Sequence, residues 1–224
     1  MTLLEIHGLE KSFYDADGNC AAKISVKSLS LNRGEMLILE GPSGSGKTTV
    51  LHLISGLLKQ DKGQIIFDGK EISSLHAKER DRFRAKNIGY IFQKLNLLDA
   101  LTVEENIIIA AKWTGETVKN AHEYARKLLD YVGLANKARM RPARLSLGEQ
   151  QRIAILRAVF NKPSLLLADE PTASLDRANA DKVLKLLKDL CAETGAALLL
   201  STHDEYVKDQ FGRRYNMRTG EFRE

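Results

Sequence analysis

A glycine-rich stretch of nine residues carries the most specific chemical signal in this chain. It reads Gly41-Pro42-Ser43-Gly44-Ser45-Gly46-Lys47-Thr48-Thr49. This sequence fits the phosphate-binding pattern G-x-x-x-x-G-K-[ST], between an apolar run of strand length and a helix-like segment. The glycines allow a tight turn whose N–H groups face one point, which is also the positive end of the next helix. Lys47 would add a charge for the β- and γ-phosphates, and Thr48 a hydroxyl ligand for Mg²⁺.

A second cluster of candidate residues follows a short apolar run at residues 165–168. Asp169 and Glu170 come directly after this run. A carboxylate at the end of a buried strand is the expected partner of a phosphate loop, so Asp169 would hold Mg²⁺. Glu170 would orient and polarise the attacking water as a general base. The alternative, an acidic turn before Pro171, is less favoured because the phosphate loop is present.

Two further polar side chains are expected at strand ends. Gln93 follows a strand-like segment and could contact the metal or the water, although a surface glutamine at a junction is the simpler alternative. His203 follows the apolar run 196–200 and could hydrogen-bond the γ-phosphate, although it could also be a structural histidine. In a parallel sheet, ligands bind beyond the carboxyl ends of the strands. Glu40, Gln93, Asp169 and His203 are therefore expected along one edge.

The order of the other elements predicts an α/β fold with an inserted helical part. Weak alternation at residues 3–9 and 24–31 favours two antiparallel strands joined by a turn at 15–19. Helical patterns occupy residues 103–113, 118–132 and 147–160. Apolar strands and a helix then resume after residue 160, which indicates a parallel sheet covered on both faces.

Composition places few limits on function. The 224 residues fit one α/β domain, and 43% hydrophobic residues can build a core. No apolar run approaches the roughly 18 residues needed to cross a bilayer, and no secretory leader is evident. Cys20 and Cys191 lack metal-site spacing and are interpreted as reduced thiols of a cytosolic protein. The net charge of +5 is modest and selects no partner.

Taken in order, these motifs resemble the nucleotide-binding subunit of ATP-binding cassette (ABC) transporters over essentially the whole chain. The matching segments are the Walker A loop at 41–48, the glutamine loop at Gln93, the signature motif at 145–152, the Walker B strand at 165–170, the dimer-contacting loop at 173–176 and the switch histidine His203. Residues 88–98 and 101–106 are similar to one subgroup. It includes lipoprotein-releasing, macrolide-exporting and antimicrobial-peptide-resistance ATPases and a cell-division member.

The resemblance implies the fold in more detail. It is an α/β fold: a P-loop NTPase (RecA-like) core with an antiparallel β subdomain and an inserted all-helical subdomain. Residues 1–224 would form a single ABC-type nucleotide-binding domain. Its catalytic core would occupy about 1–92 and 161–224, and its helical subdomain about 93–160.

The resemblance also implies an Mg²⁺-dependent ATPase that dimerises around two ATP molecules. The residues that one chain would supply are the phosphate loop 41–49, the catalytic Lys47, Gln93, Glu170 and His203, and the metal ligands Thr48, Gln93 and Asp169. The second copy would add Ser146 and Gly148. Phe13 lies where the family places an aromatic ring on adenine, with Tyr14 as the alternative.

The same resemblance implies a separate membrane permease as partner, with the chain on the cytoplasmic face of the membrane. We expect export or mechanical work on envelope substrates, and no nucleic-acid partner. The alternative is an ATP-gated regulatory or scaffold protein with little turnover, as in the cell-division member. The transported substrate and the identity of the permease are not readable from the sequence.

The signature motif departs from the usual Leu-Ser-Gly-Gly-Gln at two positions, Leu147 and Glu149. A negative charge about 8 Å from another would repel it by roughly 2 kcal/mol at an effective dielectric near 20. Ser146 and Glu149 have the spacing of a capping box, in which the Glu turns back to the Ser backbone N–H. We hypothesise that Glu149 does this, and that the ATP-driven dimer is weaker than is usual in the family.

Overall fold

The computed structural model describes residues 1–113 and 121–223, which form two compact units: Met1–Asp81 with Ala197–Glu224, and Arg82–Ala196. The strands are β1 Thr2–Tyr14, β2 Cys20–Asn32, β3 Met36–Glu40, β4 Lys62–Phe67, β5 Lys70–Glu71, β6 Ile88–Ile91, β7 Leu165–Asp169, β8 Ala197–Thr202, β9 Arg213–Asn216 and β10 Glu221–Arg223. The α-helices are α1 Lys47–Ile54, α2 Ala77–Asn87, α3 Val103–Ile108, α4 Ala121–Tyr131, α5 Leu147–Val159, α6 Arg177–Thr194 and α7 Glu205–Lys208. Short 3₁₀ helices occupy Ile109–Trp113, Ala135–Lys137 and Pro142–Arg144.

The first unit contains an antiparallel sheet in the order β2-β1-β4-β5. β1 and β2 pair as an antiparallel hairpin, which confirms the two strands predicted from alternation. Each strand is 13 residues long, however, and so extends beyond its predicted range. The added half of the hairpin is largely exposed, so it carries no alternation of apolar residues for the sequence to reveal.

The same unit contains a second group of strands in the order β10-β9-β3-β8. β3 runs parallel to β8 and β9, whereas β10 is antiparallel to β9. β8 is buried along its whole length, as a continuous apolar run predicts for a parallel strand. Sequence analysis does not predict β9 and β10, because both strands are short and rich in charged residues.

The second unit pairs β6 with β7 in parallel and gathers α3, α4 and α5 around an apolar cluster. The fully or nearly buried members of this cluster are Val103, Ile107, Ala111, Ala125, Leu128, Leu129, Leu134, Ala138, Leu145, Ile153, Leu156 and Phe160. Of the helix predicted over 118–132, the first residues lie outside the described residues, and α4 is the described part. The helix predicted over 103–113 narrows into a 3₁₀ turn after Ile108. The predicted boundaries of the helical subdomain, 93–160, remain a prediction.

Gly89 on β6 packs directly against helix α5, and we expect its replacement by alanine to destabilise the protein. A Cβ at this position would lie 2.3 Å from the Ala158 carbonyl oxygen and 2.7 Å from Leu166 Cδ2. The backbone cannot yield cheaply, so Gly89→Ala should cost about 1–3 kcal/mol of unfolding free energy. Each kcal/mol should lower Tm by roughly 2–4 °C in thermal unfolding followed by circular dichroism.

Gly212→Ala is the matched control for this experiment, because nothing lies within 4 Å of a Cβ at Gly212. Equal melting temperatures for the two variants would contradict the predicted close contact between β6 and α5.

Candidate functional site

The phosphate loop joins β3 to α1, and glycine is required where the loop enters the helix. Gly46 caps the helix with φ of 92°, a left-handed conformation that other residues adopt at a cost. A Cβ on Gly46 would also lie 2.4 Å from Ile24 Cδ1 on β2. Backbone angle and space together therefore require glycine at this point.

Lys47 is the first residue of α1, and its ammonium group is held inside the loop. It donates hydrogen bonds to the carbonyl oxygens of Gly41 at 2.8 Å and Pro42 at 3.2 Å. Only 7% of the residue is exposed, although it is charged. The positive charge and the positive end of the helix dipole thus occupy the same place, an arrangement that attracts an anion.

His203 shares a cavity with the phosphate loop, as the sequence predicts for this pair. The cavity has a volume of about 460 Å³, and Gly41, Pro42 and His203 are among the residues that line it. A second, more open cavity of about 530 Å³ lies on the loop itself. Its lining residues are Pro42, Ser43, Gly44, Ser45, Met217 and Arg218.

The remaining candidate residues of the first unit lie on its surface. The Thr48 side chain is exposed on the first turn of α1, and Thr49 beside it is half-buried. Phe13 and Tyr14, at the end of β1, are 37% and 68% exposed. Both side chains are therefore accessible from solvent.

In the second unit, the two acidic candidates follow each other at the end of β7. Asp169 is buried, with 3% of its surface exposed, and its negative charge contributes to raising the pKa of Tyr90, after the larger effect of burial. Glu170 has φ of 47°, in the left-handed region that side chains rarely occupy. Such strained residues concentrate at functional sites, so the geometry of Glu170 supports its candidacy.

Gln93 is exposed two residues after the end of β6, and side chains from two helices fix the segment that follows it. Arg157 on α5 donates to the carbonyl oxygens of Leu95 at 2.7 Å and Asn96 at 2.6 Å. Asn106 on α3 accepts from the Leu98 N–H at 2.8 Å. Sequence analysis does not predict the Arg157 contacts, because they join residues about sixty positions apart in the chain.

The start of α5 has the capping box that the spacing of Ser146 and Glu149 predicts. The Glu149 N–H donates to Ser146 Oγ at 3.4 Å, and the Ser146 N–H donates to a Glu149 carboxylate oxygen at 2.9 Å. Leu147 is 44% exposed at the tip of the helix, and a Cβ on Gly148 would lie 3.1 Å from Asn179 Oδ1. The hypothesis that Glu149 turns back to cap its own helix is confirmed.

Glu149 has a second partner that sequence reasoning missed. The Lys137 ammonium donates to the other oxygen of the Glu149 carboxylate. This contact is the main cause of the lowered pKa of Glu149, and the Ser146 N–H lowers the pKa further. The carboxylate therefore stays ionised at neutral pH, but an adjacent positive charge compensates it.

The candidate metal ligands offer oxygen atoms, and they are too few to bind a metal ion without other ligands. This favours Mg²⁺ over a metal that is bound by protein side chains alone. Thr48 in the first unit offers a hydroxyl, and Asp169 in the second a carboxylate. Within residues 1–113 and 121–223, no group of three or more His, Cys, Asp or Glu side chains could hold a metal ion. Mg²⁺ usually takes one or two carboxylates together with substrate phosphates and water, so each of these two groups, taken separately, is a ligand of a kind that it accepts.

Comparison with known proteins decides the family. The sequence profile described as "ABC transporter" matches residues 24–173, more than half of the chain. The chain belongs to the ABC transporter family. The lipoprotein-releasing system ATP-binding protein LolD 1 of Caulobacter vibrioides is 39% identical over 97% of this ABC protein and 93% of its own length. LolD of Bacteroides thetaiotaomicron is 38% identical over 97% and 98%, respectively.

Solved structures agree with this assignment. The ATP-binding cassette MJ0796, in a dimeric post-hydrolysis state bound to ADP and Pi, superposes with a TM-score of 0.83. It is 32% identical, over 96% of this chain and 94% of the other. The predicted family, the P-loop α/β fold and the ATPase activity are thereby confirmed. No helix in the described part of this ABC protein is both long and apolar enough to span a bilayer.

Proposed function

We propose that this ABC protein binds ATP and Mg²⁺ between two copies of itself and passes the resulting motion to a separate membrane permease. The observation that carries the proposal is the buried Lys47 ammonium at the start of α1, inside a phosphate loop. A buried positive charge at a helix N-terminus favours the binding of an anion. The MJ0796 cassette, solved as a dimer, supports assembly of two such sites from two chains.

In the first unit, the proposed roles follow from position. Lys47 and the N–H groups of the loop bind the β- and γ-phosphates. His203, on the wall of the cavity that Gly41 and Pro42 also line, donates a hydrogen bond to the γ-phosphate. The exposed ring of Phe13, or of Tyr14, stacks on adenine. These contacts position the terminal phosphate for attack.

In the second unit, Glu170 is the proposed general base and Gln93 a ligand of the metal or the water. Glu170 takes a proton from the attacking water, the water oxygen forms a bond to the γ-phosphorus, and the bond to the ADP oxygen breaks. Ser146 and Gly148 of the partner subunit cover the γ-phosphate. Thr48 and Asp169 would hold Mg²⁺, which neutralises charge on the phosphate oxygens when bound.

The proposed permease would hold the protein at the cytoplasmic face of the membrane. The names of the LolD relatives favour a lipoprotein-releasing type of work, that is, export or mechanical action on envelope substrates. The subgroup similarity of residues 88–98 and 101–106 points in the same direction.

Molar mass in solution tests the core of this proposal. A Glu170→Gln variant, which we expect to bind ATP but to hydrolyse it slowly, should change on addition of Mg²⁺ and ATP from the 25.0 kDa of one chain to twice that mass. Light scattering after size-exclusion chromatography measures the change, with ADP as the control ligand. A mass that stays at one chain in saturating Mg²⁺ and ATP, with and without the permease, would contradict the proposal.

The glutamate at position 149 of the signature motif leads to a separate prediction about the strength of this dimer. Removing the charge with Glu149→Gln keeps an acceptor for the Ser146 N–H but frees the Lys137 charge beside the partner's phosphates. At about 8 Å and a dielectric near 20, this change is worth up to about 2 kcal/mol per site. The dissociation constant of the dimer should therefore fall, by up to about 30-fold for one site.

Sedimentation velocity of Glu149→Gln in the Glu170→Gln background would measure this constant. Glu123→Gln is the control, because its carboxylate also pairs with a lysine, Lys127, but on the exposed surface of α4. An unchanged dissociation constant would contradict the hypothesis that the charge of Glu149 weakens the dimer.

A further inference from the structure

Glu40 carries a buried carboxylate at the start of the phosphate loop. It is the last residue of β3, directly before Gly41, and only 7% of it is exposed. One of its oxygens accepts a hydrogen bond from Asn216 Nδ2 at 3.0 Å. The other lies 3.9 Å from the ammonium of Lys208. A charge is thus buried at the position where the chain leaves the sheet to form the loop.

Lys208 connects this carboxylate to the segment that carries His203. It is the last residue of α7 and is 8% exposed. Its N–H donates to the Asp204 carbonyl at 3.1 Å, and its ammonium also donates to Glu205 at 2.8 Å. Asp204 follows His203 and caps the same helix. An ion pair and a backbone hydrogen bond, both through Lys208, therefore link Glu40 to the residue next to His203.

Asn216 fixes the other side of the same carboxylate. Its Oδ1 accepts from the N–H groups of Arg218 at 2.8 Å and Thr219 at 3.2 Å, which shapes the turn after β9. The Met217 N–H in this turn donates to the Glu40 carbonyl at 2.9 Å. Glu40 is therefore held through its backbone and its side chain, and the start of the phosphate loop is held with it.

Stability alone does not account for this arrangement. Burying two charges carries a desolvation penalty that their attraction often does not exceed, and apolar residues of similar volume are commonly as stable or more so. A directional network can, however, fix the relative position of the segments that it joins. Here those segments are the phosphate loop and the His203 segment, whose residues line the same cavity of about 460 Å³ together with Glu40, Lys208 and Asn216.

We infer that Glu40, Lys208 and Asn216 are positioning residues that hold His203 at a fixed place relative to the phosphate loop. The inference rests on the function proposed for His203 at the γ-phosphate. When the network is intact, α7 and the turn after β9 are both tied to the residue that precedes Gly41. When it is broken, α7 can shift without unfolding, and an error of about 1 Å in such a position can lower a rate up to 100-fold.

A single and a double variant separate positioning from stability. Lys208→Met removes one charge and leaves Glu40 buried beside Asn216 alone, so we expect Tm to fall by about 6 °C or more. Its kcat should fall about 10- to 100-fold, with a smaller change in KM for ATP. The double variant Glu40→Gln/Lys208→Met lacks the unpaired charge, so its Tm should return to that of the parent. Its kcat should stay low, because the ion pair between β3 and α7 is still absent. Lys208→Arg keeps the positive charge, so this variant should retain the Tm and the kcat of the parent.

Lys185→Met, which breaks the exposed pair with Asp189 on α6, is the control expected to change neither quantity. Recovery of kcat together with Tm in the double variant would overturn the inference, since the pair would then act through stability alone. His203→Ala is measured in parallel. If it keeps the parent kcat, the function proposed for His203 fails and the inference fails with it. If it is impaired while the double variant recovers, only the inference fails.

Discussion

Replacing Glu170 with glutamine is expected to lower kcat for ATP hydrolysis by about 100- to 10,000-fold, with little change in ATP affinity. Glutamine matches the shape of glutamate but cannot take a proton from water, so the loss falls on the chemical step. Since the side chain is not proposed to bind the phosphates, KM should remain close to that of the parent. Steady-state phosphate release and equilibrium ATP binding measure the two quantities separately.

The local backbone makes Glu170 a suitable place for this test. Glu170 comes directly after a fully buried strand and has φ of 47°. Its carbonyl oxygen accepts a hydrogen bond from the Ala173 N–H at 3.2 Å, which closes a turn. Glutamine changes no backbone preference here, so the variant should keep the parent Tm.

Glu193→Gln is the matched control, because Glu193 is an exposed carboxylate on α6 with no proposed role. A Glu170→Gln protein with the kcat of the parent would contradict the assignment of the general base. The measurement also addresses the scaffold alternative: a parent protein whose turnover is already as low as that of Glu170→Gln would be acting as an ATP-dependent clamp.

The parts of this molecule that the sequence predicts are those specified by neighbouring residues. The phosphate loop, the two carboxylates at the end of β7 and the capping box at Ser146 each depend on a few consecutive positions, and the structure has each of them in the expected local setting. Apolar strands such as β8 are recognised for the same reason, since burial on both faces requires a continuous apolar run.

The features that the sequence does not predict depend on partners far away in the chain. Glu40 at a strand end is visible in the sequence, but nothing there indicates that Lys208 and Asn216 enclose it. Likewise, the partner of Glu149 could not be foreseen, because Lys137 lies in a short 3₁₀ helix with no periodic signal. Short charged strands such as β9 form because β3 offers them an edge, which is a property of the fold rather than of their own residues.

Lys47→Met is expected to weaken ATP binding by about 10- to 150-fold, because a charge-assisted hydrogen bond to a phosphate contributes roughly 1.5–3 kcal/mol. Methionine keeps an apolar stem of similar length in the buried position, so the loop should not collapse. The carbonyl oxygens of Gly41 and Pro42 lose a donor, but the loop is partly open to water, which can replace it.

Isothermal titration calorimetry with ATP and Mg²⁺ would measure the affinity, and thermal unfolding without nucleotide would show that the fold is retained. Lys27→Met on β2 is the control, since it removes an exposed charge of the same kind from the same unit. The Lys47 ammonium, which donates to two loop carbonyls, must exchange them for phosphate oxygens when ATP binds. For this reason the loss in Lys47→Met should appear mainly in the binding enthalpy, and an affinity equal to that of Lys27→Met would exclude Lys47 from the phosphate site.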